Sequence, residues 1–212
     1  GTLGGIVSST SVTLTFARLS REHTKTGRAL AAGTLGANTV LFPRVLVASA
    51  VLAPGLATAL WPAFVAPVMV GAVLALRGVG ASARAEAAAE PDRNPLQLLA
   101  ALQMVVLFQA VLFAVAAAGR WFGDRGLYGS AAVLGLVDMD ALTISMARLT
   151  AGGTAAETTA LAVTIGVLAN SGVKLAIALA IGRGTFRPLA AAGLALQAVT
   201  LVGPLIDGAA YD

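Results

Sequence analysis

Cysteine is absent from the 212 residues, and histidine occurs once, at His23. Without a thiol there is no disulfide framework, no thiolate metal site and no cysteine nucleophile. A single histidine in a charged loop leaves no basis for a zinc centre of the usual kind or for Ser-His-Asp hydrolysis. Charge is scarce as well. Only 11% of residues are Asp, Glu, Lys or Arg, against roughly 25% in a soluble globular domain. Water is therefore not the main solvent of this chain.

Long apolar runs are what the sequence has instead. Apolar residues make up 58% of the chain and mean hydropathy is +0.86. A bilayer core takes about 20 apolar helical residues, and seven stretches qualify, near 2–19, 27–53, 55–76, 96–118, 127–148, 156–181 and 188–206. The expected fold is an all-α integral membrane protein of seven transmembrane helices, multi-pass in the cytoplasmic membrane. The isoelectric point near 10.3 does not point to nucleic acid, because the basic residues flank the apolar runs. Trp61, Trp121 and Tyr128 read as interfacial anchors.

The connections divide by charge: Arg18, Arg21, Lys25, Arg28, Arg77, Arg84, Arg93 and Arg148 lie on one side, and Arg120, Arg125, Arg183 and Arg187 on the other. The positive-inside rule then puts the first set in the cytoplasm. The chain opens at Gly1 in an apolar run with no basic leader, which reads as a fragment without a signal peptide.

The two halves resemble each other. Gly5-Ile6-Val7-Ser8-Ser9-Thr10-Ser11-Val12-Thr13-Leu14-Thr15-Phe16-Ala17-Arg18-Leu19-Ser20 aligns without a gap to Gly135-Leu136-Val137-Asp138-Met139-Asp140-Ala141-Leu142-Thr143-Ile144-Ser145-Met146-Ala147-Arg148-Leu149-Thr150. In the next span, Asn38 and Arg44 of one half answer to Asn170 and Lys174 of the other. The expected organisation is a first repeat at 1–77, a cytoplasmic linker at 78–95, a linking helix at 96–119 and a second repeat at 120–212. With one linking span the copies point the same way, a parallel three-helix repeat about the membrane normal. The repeat also asks for a helix ahead of the first span. The groove it would fill is expected to take lipid or a second protomer, as in a homodimer.

Gly5-Ile6-Val7-Ser8-Ser9-Thr10 with Thr13 and Ala17-Arg18, then Trp121-Phe122-Gly123-Asp124, Gly126-Leu127-Tyr128, Asp138-Met139-Asp140-Ala141 and Ala147-Arg148-Leu149 resemble the bacterial membrane domain of unknown function 4010. The resemblance spans nearly the whole chain. It implies a cell-membrane location and, through the MgtC/SapB-like membrane domains to which that domain is commonly fused, magnesium or ion homeostasis. It implies no substrate and no catalytic residue.

Asp138 and Asp140 fall near the middle of their span, about 18 Å from its outer end. Acids at that depth cost several kcal/mol unless they face a partner or a water-filled cavity. One reading is a structural ion pair with Arg44 or Lys174. The other is an ion pathway: the acids with Thr143 and Ser145 in one half, Ser8, Ser9, Thr10 and Thr13 in the other, Asn38 and Asn170 between them, and Arg44 and Lys174 as counter-charges. Positions two apart on a helix point about 200° apart, so the acids share a face only if the helix is broken. Gly4-Gly5 and Gly135 mark matched places for such breaks, or serve only as close-packing residues.

Oxygen ligands of this kind suit a hard cation such as magnesium, or a proton relay. The expected function is a transporter or channel for a small inorganic ion, and the alternative is a non-transporting scaffold or regulatory subunit. An enzyme is not expected, nor a cofactor, and the partners are the bilayer and the ion.

Overall fold

The computed structural model describes residues 9–82 and 126–209. Seven α-helices occur among them: α1 (Ser9–Glu22), α2 (Gly27–Leu52), α3 (Pro54–Ser82), α4 (Gly126–Val137), α5 (Met139–Ala151), α6 (Ala156–Ile181) and α7 (Phe186–Ala209). A single 3-10 turn, Thr24–Thr26, links α1 to α2. Four helices, namely α2, α3, α6 and α7, are long and apolar enough to cross a membrane. The 26 residues of α2 and of α6 each measure about 39 Å, more than the roughly 30 Å hydrocarbon core. The expected span 96–118, the linker beyond Ser82, and the Gly4-Gly5 break lie outside the described residues.

The apolar side chains form two clusters with a polar layer between them. Along α2 the first cluster takes Ala29, Leu30, Ala31 and Leu35, and the second takes Leu41, Phe42 and Val45. Between them sit Asn38 and Thr39. On α7 the order is the same: Phe186, Ala190 and Leu194 in the first cluster, Gln197 between, Leu201 in the second. On α6 it is reversed, from Ala160, Val163 and Val167 through Asn170 and Lys174 to Ala178. On α3 it is reversed too, from Leu56, Leu60 and Phe64 to Leu74. Thus α2 and α7 run one way, and α3 and α6 the other.

The connections agree with that reading. The α1–α2 junction meets the α6–α7 junction: Arg21 Nε donates to Ile181 O at 2.9 Å, and the Arg183 amide donates to Ser20 Oγ at 2.9 Å. At the opposite end the start of α3 meets the start of α6, where a Cβ on Gly55 would touch the Ala156 Cβ at 3.9 Å. The loops at both ends turn on glycines with positive φ, Gly153 at 102° and Gly184 at 56°, a conformation that costs glycine nothing.

Two expectations need correction. The stretch 127–148 is not one continuous helix, because Asp138 is extended (φ −154°, ψ 112°) between α4 and α5. Nor are α4 and α5 collinear. A Cβ on Gly166 would lie 3.0 Å from Ala131 O while overlapping Leu142 Cδ2, yet in a straight helix those two residues stand about 16 Å apart along the axis. The chain bends back at Asp138, and α5 returns to the Gly55 end, where Thr150 Oγ1 and Thr159 Oγ1 hydrogen-bond at 2.7 Å.

The second correction follows from the first. Because the chain doubles back at Asp138, the helix that follows α5 runs opposite to the direction a straight helix over 127–148 would give it. Helices α2 and α6, which answer to each other in the sequence, run antiparallel. The parallel repeat about the membrane normal is therefore not the arrangement of this chain.

Candidate functional site

The bend is built by Asp138. As N-cap of α5 its carboxylate Oδ1 accepts the amides of Asp140 at 2.8 Å and Ala141 at 3.1 Å. In an uninterrupted helix those amides would serve the carbonyls of Leu136 and Val137. Among the described residues no other backbone donor reaches those two carbonyls. The next carbonyl back, of Gly135, accepts the side-chain amide of Asn170 at 2.9 Å. The other amide atom, Asn170 Oδ1, is buried with no hydrogen-bond partner. Gly135 allows this approach, since a Cβ there would lie 2.5 Å from Gly166 Cα. So Gly135 serves both as a close-packing residue and as a neighbour of the break.

Asp140 faces away from that cap and forms an ion pair with Arg44 of α2. Both side chains are partly exposed, 33% for Arg44 and 46% for Asp140. The sequence had left Arg44 and Lys174 as equal candidates. Arg44 takes the acid, while Lys174, wholly buried on α6, donates instead to Asn38 Oδ1 at 2.6 Å. Asn38 Nδ2 donates to Gln197 Oε1 at 3.0 Å, and Gln197 Nε2 donates to Thr39 Oγ1 at 2.9 Å. Gly71 makes room for this chain, because a Cβ there would overlap both the Gln197 amide and the Thr39 hydroxyl.

The remaining candidates divide. Thr13 and Thr143 are buried but spend their hydroxyls on their own helices, on Ser9 O at 2.9 Å and Met139 O at 2.7 Å, as membrane threonines commonly do. Ser9 and Thr10 open α1 and are half-buried, and Ser145 is half-buried on α5. Ser8 lies outside the described residues. Sequence reasoning passed over Gln197 and Thr39. The available signal was a lone glutamine in the apolar run of α7, the same kind of signal that singled out the asparagines. Among the described residues no group of three or more His, Cys, Asp or Glu could hold a metal ion.

Among the described residues, helices long and apolar enough to cross a membrane, an apolar stretch interrupted at the extended Asp138, and charged side chains brought onto facing helices describe a membrane-embedded protein with a polar interior layer. The chain belongs to the family described as Domain of unknown function (DUF4010), which matches residues 1–182. It is 27% identical over 185 residues to an uncharacterized protein of Aquifex aeolicus (strain VF5), with 85% of this chain and 80% of the relative covered. No solved structure matches it.

Proposed function

We propose that this chain forms a carrier or channel for a small inorganic ion, built as an inverted-topology repeat, with the ion path at the interrupted span α4–α5. The observation that carries the reading is the break itself. A non-helical backbone at membrane depth is tolerated only where protein buries it or where it lines a polar cavity. Interrupted spans beside a repeat interface are where transporters of this architecture hold their ions.

The charge pattern supports the same architecture. In helices of equal length, Arg44 lies about 12 Å before the end of α2 and Lys174 about 11 Å before the end of α6. Because those helices are antiparallel, the two cations sit on opposite sides of the midplane. At the Arg21 end lie Arg18, Arg21, Lys25, Arg28, Arg77, Arg183 and Arg187, whereas the Gly55 end carries Arg148 among the described residues. The inverted arrangement gives a steeper basic bias than the expected one, and it puts the Arg21 end in the cytoplasm. In this reading the Arg44–Asp140 pair is the element that opens and re-forms during the cycle, and the chain performs no covalent chemistry.

A second reading, a non-transporting scaffold, is favoured by one observation. Asp138, Asp140 and Lys174 each have a partner in this conformation, as they would if they served only to specify packing. Ion flux into liposomes, measured across a panel of cations and anions for the wild type and Asp140→Asn, separates the two. Flux that the substitution alters supports the carrier; no flux of any ion supports the scaffold.

A further inference from the structure

The bend at Asp138 leaves several oxygens without donors, and that bookkeeping has a chemical direction. By taking the amides of Asp140 and Ala141, the Asp138 carboxylate leaves the carbonyls of Leu136 and Val137 at the end of α4 without their helical donors. Asn170 stands beside them, since its amide nitrogen is bound to Gly135 O. That bond fixes which way round the amide sits, because a carbonyl accepts and only the nitrogen donates. Its oxygen is therefore turned to the side that offers no donor. The residue is only 6% exposed, and Asn170 Oδ1 has no partner.

A buried amide oxygen without a donor is costly, and a native site retains one where something else fills the need. The bond to Gly135 O sets this amide beside the end of α4, which carries the negative pole of the helix dipole, one to three residues before the Asp138 carboxylate in the chain. Amide and peptide oxygens with a carboxylate are the ligand set of a hard cation. Unwound carbonyls and helix C-termini supply such sites in membrane carriers.

The charge count selects the class of ion. Asp140 is already balanced by Arg44, and the buried Lys174, one turn along α6 from Asn170 and held by the neutral Asn38, disfavours any ion of higher positive charge; that leaves the one carboxylate of Asp138. A single negative charge with neutral oxygens balances a monovalent cation. Magnesium, which gives up its waters reluctantly and favours more than one charged ligand or phosphate, is matched poorly.

We infer that the break between α4 and α5 is a binding site for a dehydrated monovalent cation of the sodium class, with Asn170 Oδ1, the Asp138 carboxylate and the carbonyls of Leu136 and Val137 as its oxygen donors. The inference rests on the ion-carrier reading and names the ion that reading leaves open.

The test is binding, measured apart from flux. Full-length purified protein in detergent is titrated with sodium chloride at constant ionic strength against choline chloride, and with lithium and potassium chloride in parallel, following thermal unfolding. A bound ion stabilises the folded state in a saturable way, so the wild type should gain several degrees in Tm with sodium. Asp138→Asn keeps the oxygen that caps α5 but removes the charge, so it should fold and lose that gain. Asn170→Ala provides a second variant, judged by its sodium dependence and not by its absolute Tm, and should show the gain much reduced. No saturable rise with any alkali cation in the wild type overturns the site. So does an equal rise in the wild type and both variants. If flux of some ion persists while sodium binding fails, the site falls and the carrier reading stands; if sodium binds as described and no ion moves, the reverse holds.

Discussion

Asp138 is the residue on which most of the described site turns, because it both ends one helix and starts the next. Removing its capping oxygen should cost about 1 kcal/mol, the usual penalty for replacing an N-cap by alanine. Asp138→Ala is expected to lower Tm in sodium-free buffer, whereas Asp138→Asn, which retains the acceptor, is expected to match the wild type there. Equal losses for both would show that charge, not capping, holds the bend. The Arg44–Asp140 pair is a different case. Its side chains are partly exposed, so its coupling should be nearer 1 kcal/mol than the several kcal/mol of a sealed pair. A double-mutant cycle with Arg44→Ala and Asp140→Ala read by thermal unfolding measures it, and a coupling of zero would leave the pair without a structural role. That one acid would find Arg44 or Lys174 was legible, since an acid at that depth needs a partner. Which of the two it finds was not, because the choice depends on how α5 sits against α2. The same limit hid the Lys174–Asn38–Gln197 chain, in which each bond joins residues more than a hundred positions apart.

At the scale of elements, α4 and α6 meet backbone to backbone at Gly135 and Gly166. A methyl group on Gly135 would have to push backbone aside, and overpacking of that kind costs about 1–3 kcal/mol. Gly129, in the same helix, has nothing within 4 Å of where its Cβ would be. Alanine there should be neutral or stabilising by up to about 1 kcal/mol through helix propensity. Thermal unfolding of Gly135→Ala and Gly129→Ala in parallel checks the contact, and similar Tm values would contradict it. The sequence carried the hint of an interruption in Gly135 and in two acids spaced two apart. It did not carry the angle, because hydropathy is the same for a helix that crosses and for one that folds back.

That angle decides the arrangement of the whole molecule. The helical segments were legible from apolar length and the polar matches between halves, but their relative direction rested on counting crossings, and one uncounted bend reverses the answer. The absence of cysteine makes this directly testable, since single cysteines enter a silent background. Placed at Lys25 and at Gly184, they should react with an impermeant maleimide from the same face of oriented vesicles, and at Gly153 from the other. The parallel arrangement puts Lys25 and Gly153 on one face and Gly184 on the opposite one, so labelling in that pattern would restore it.

The layer of Lys174, Asn38, Gln197 and Thr39 has a mechanical consequence. Cut along the helix axes, the described residues form a laminate: two greasy plies and, between them, a thin sheet held by amide and hydroxyl bonds. Each ply draws on both halves of the sequence, so neither half can leave without tearing both. Because α2, α6 and α7 pass unbroken through the sheet from one ply into the other, the plies cannot slide past each other, and any relative motion must carry whole helices through both plies at once.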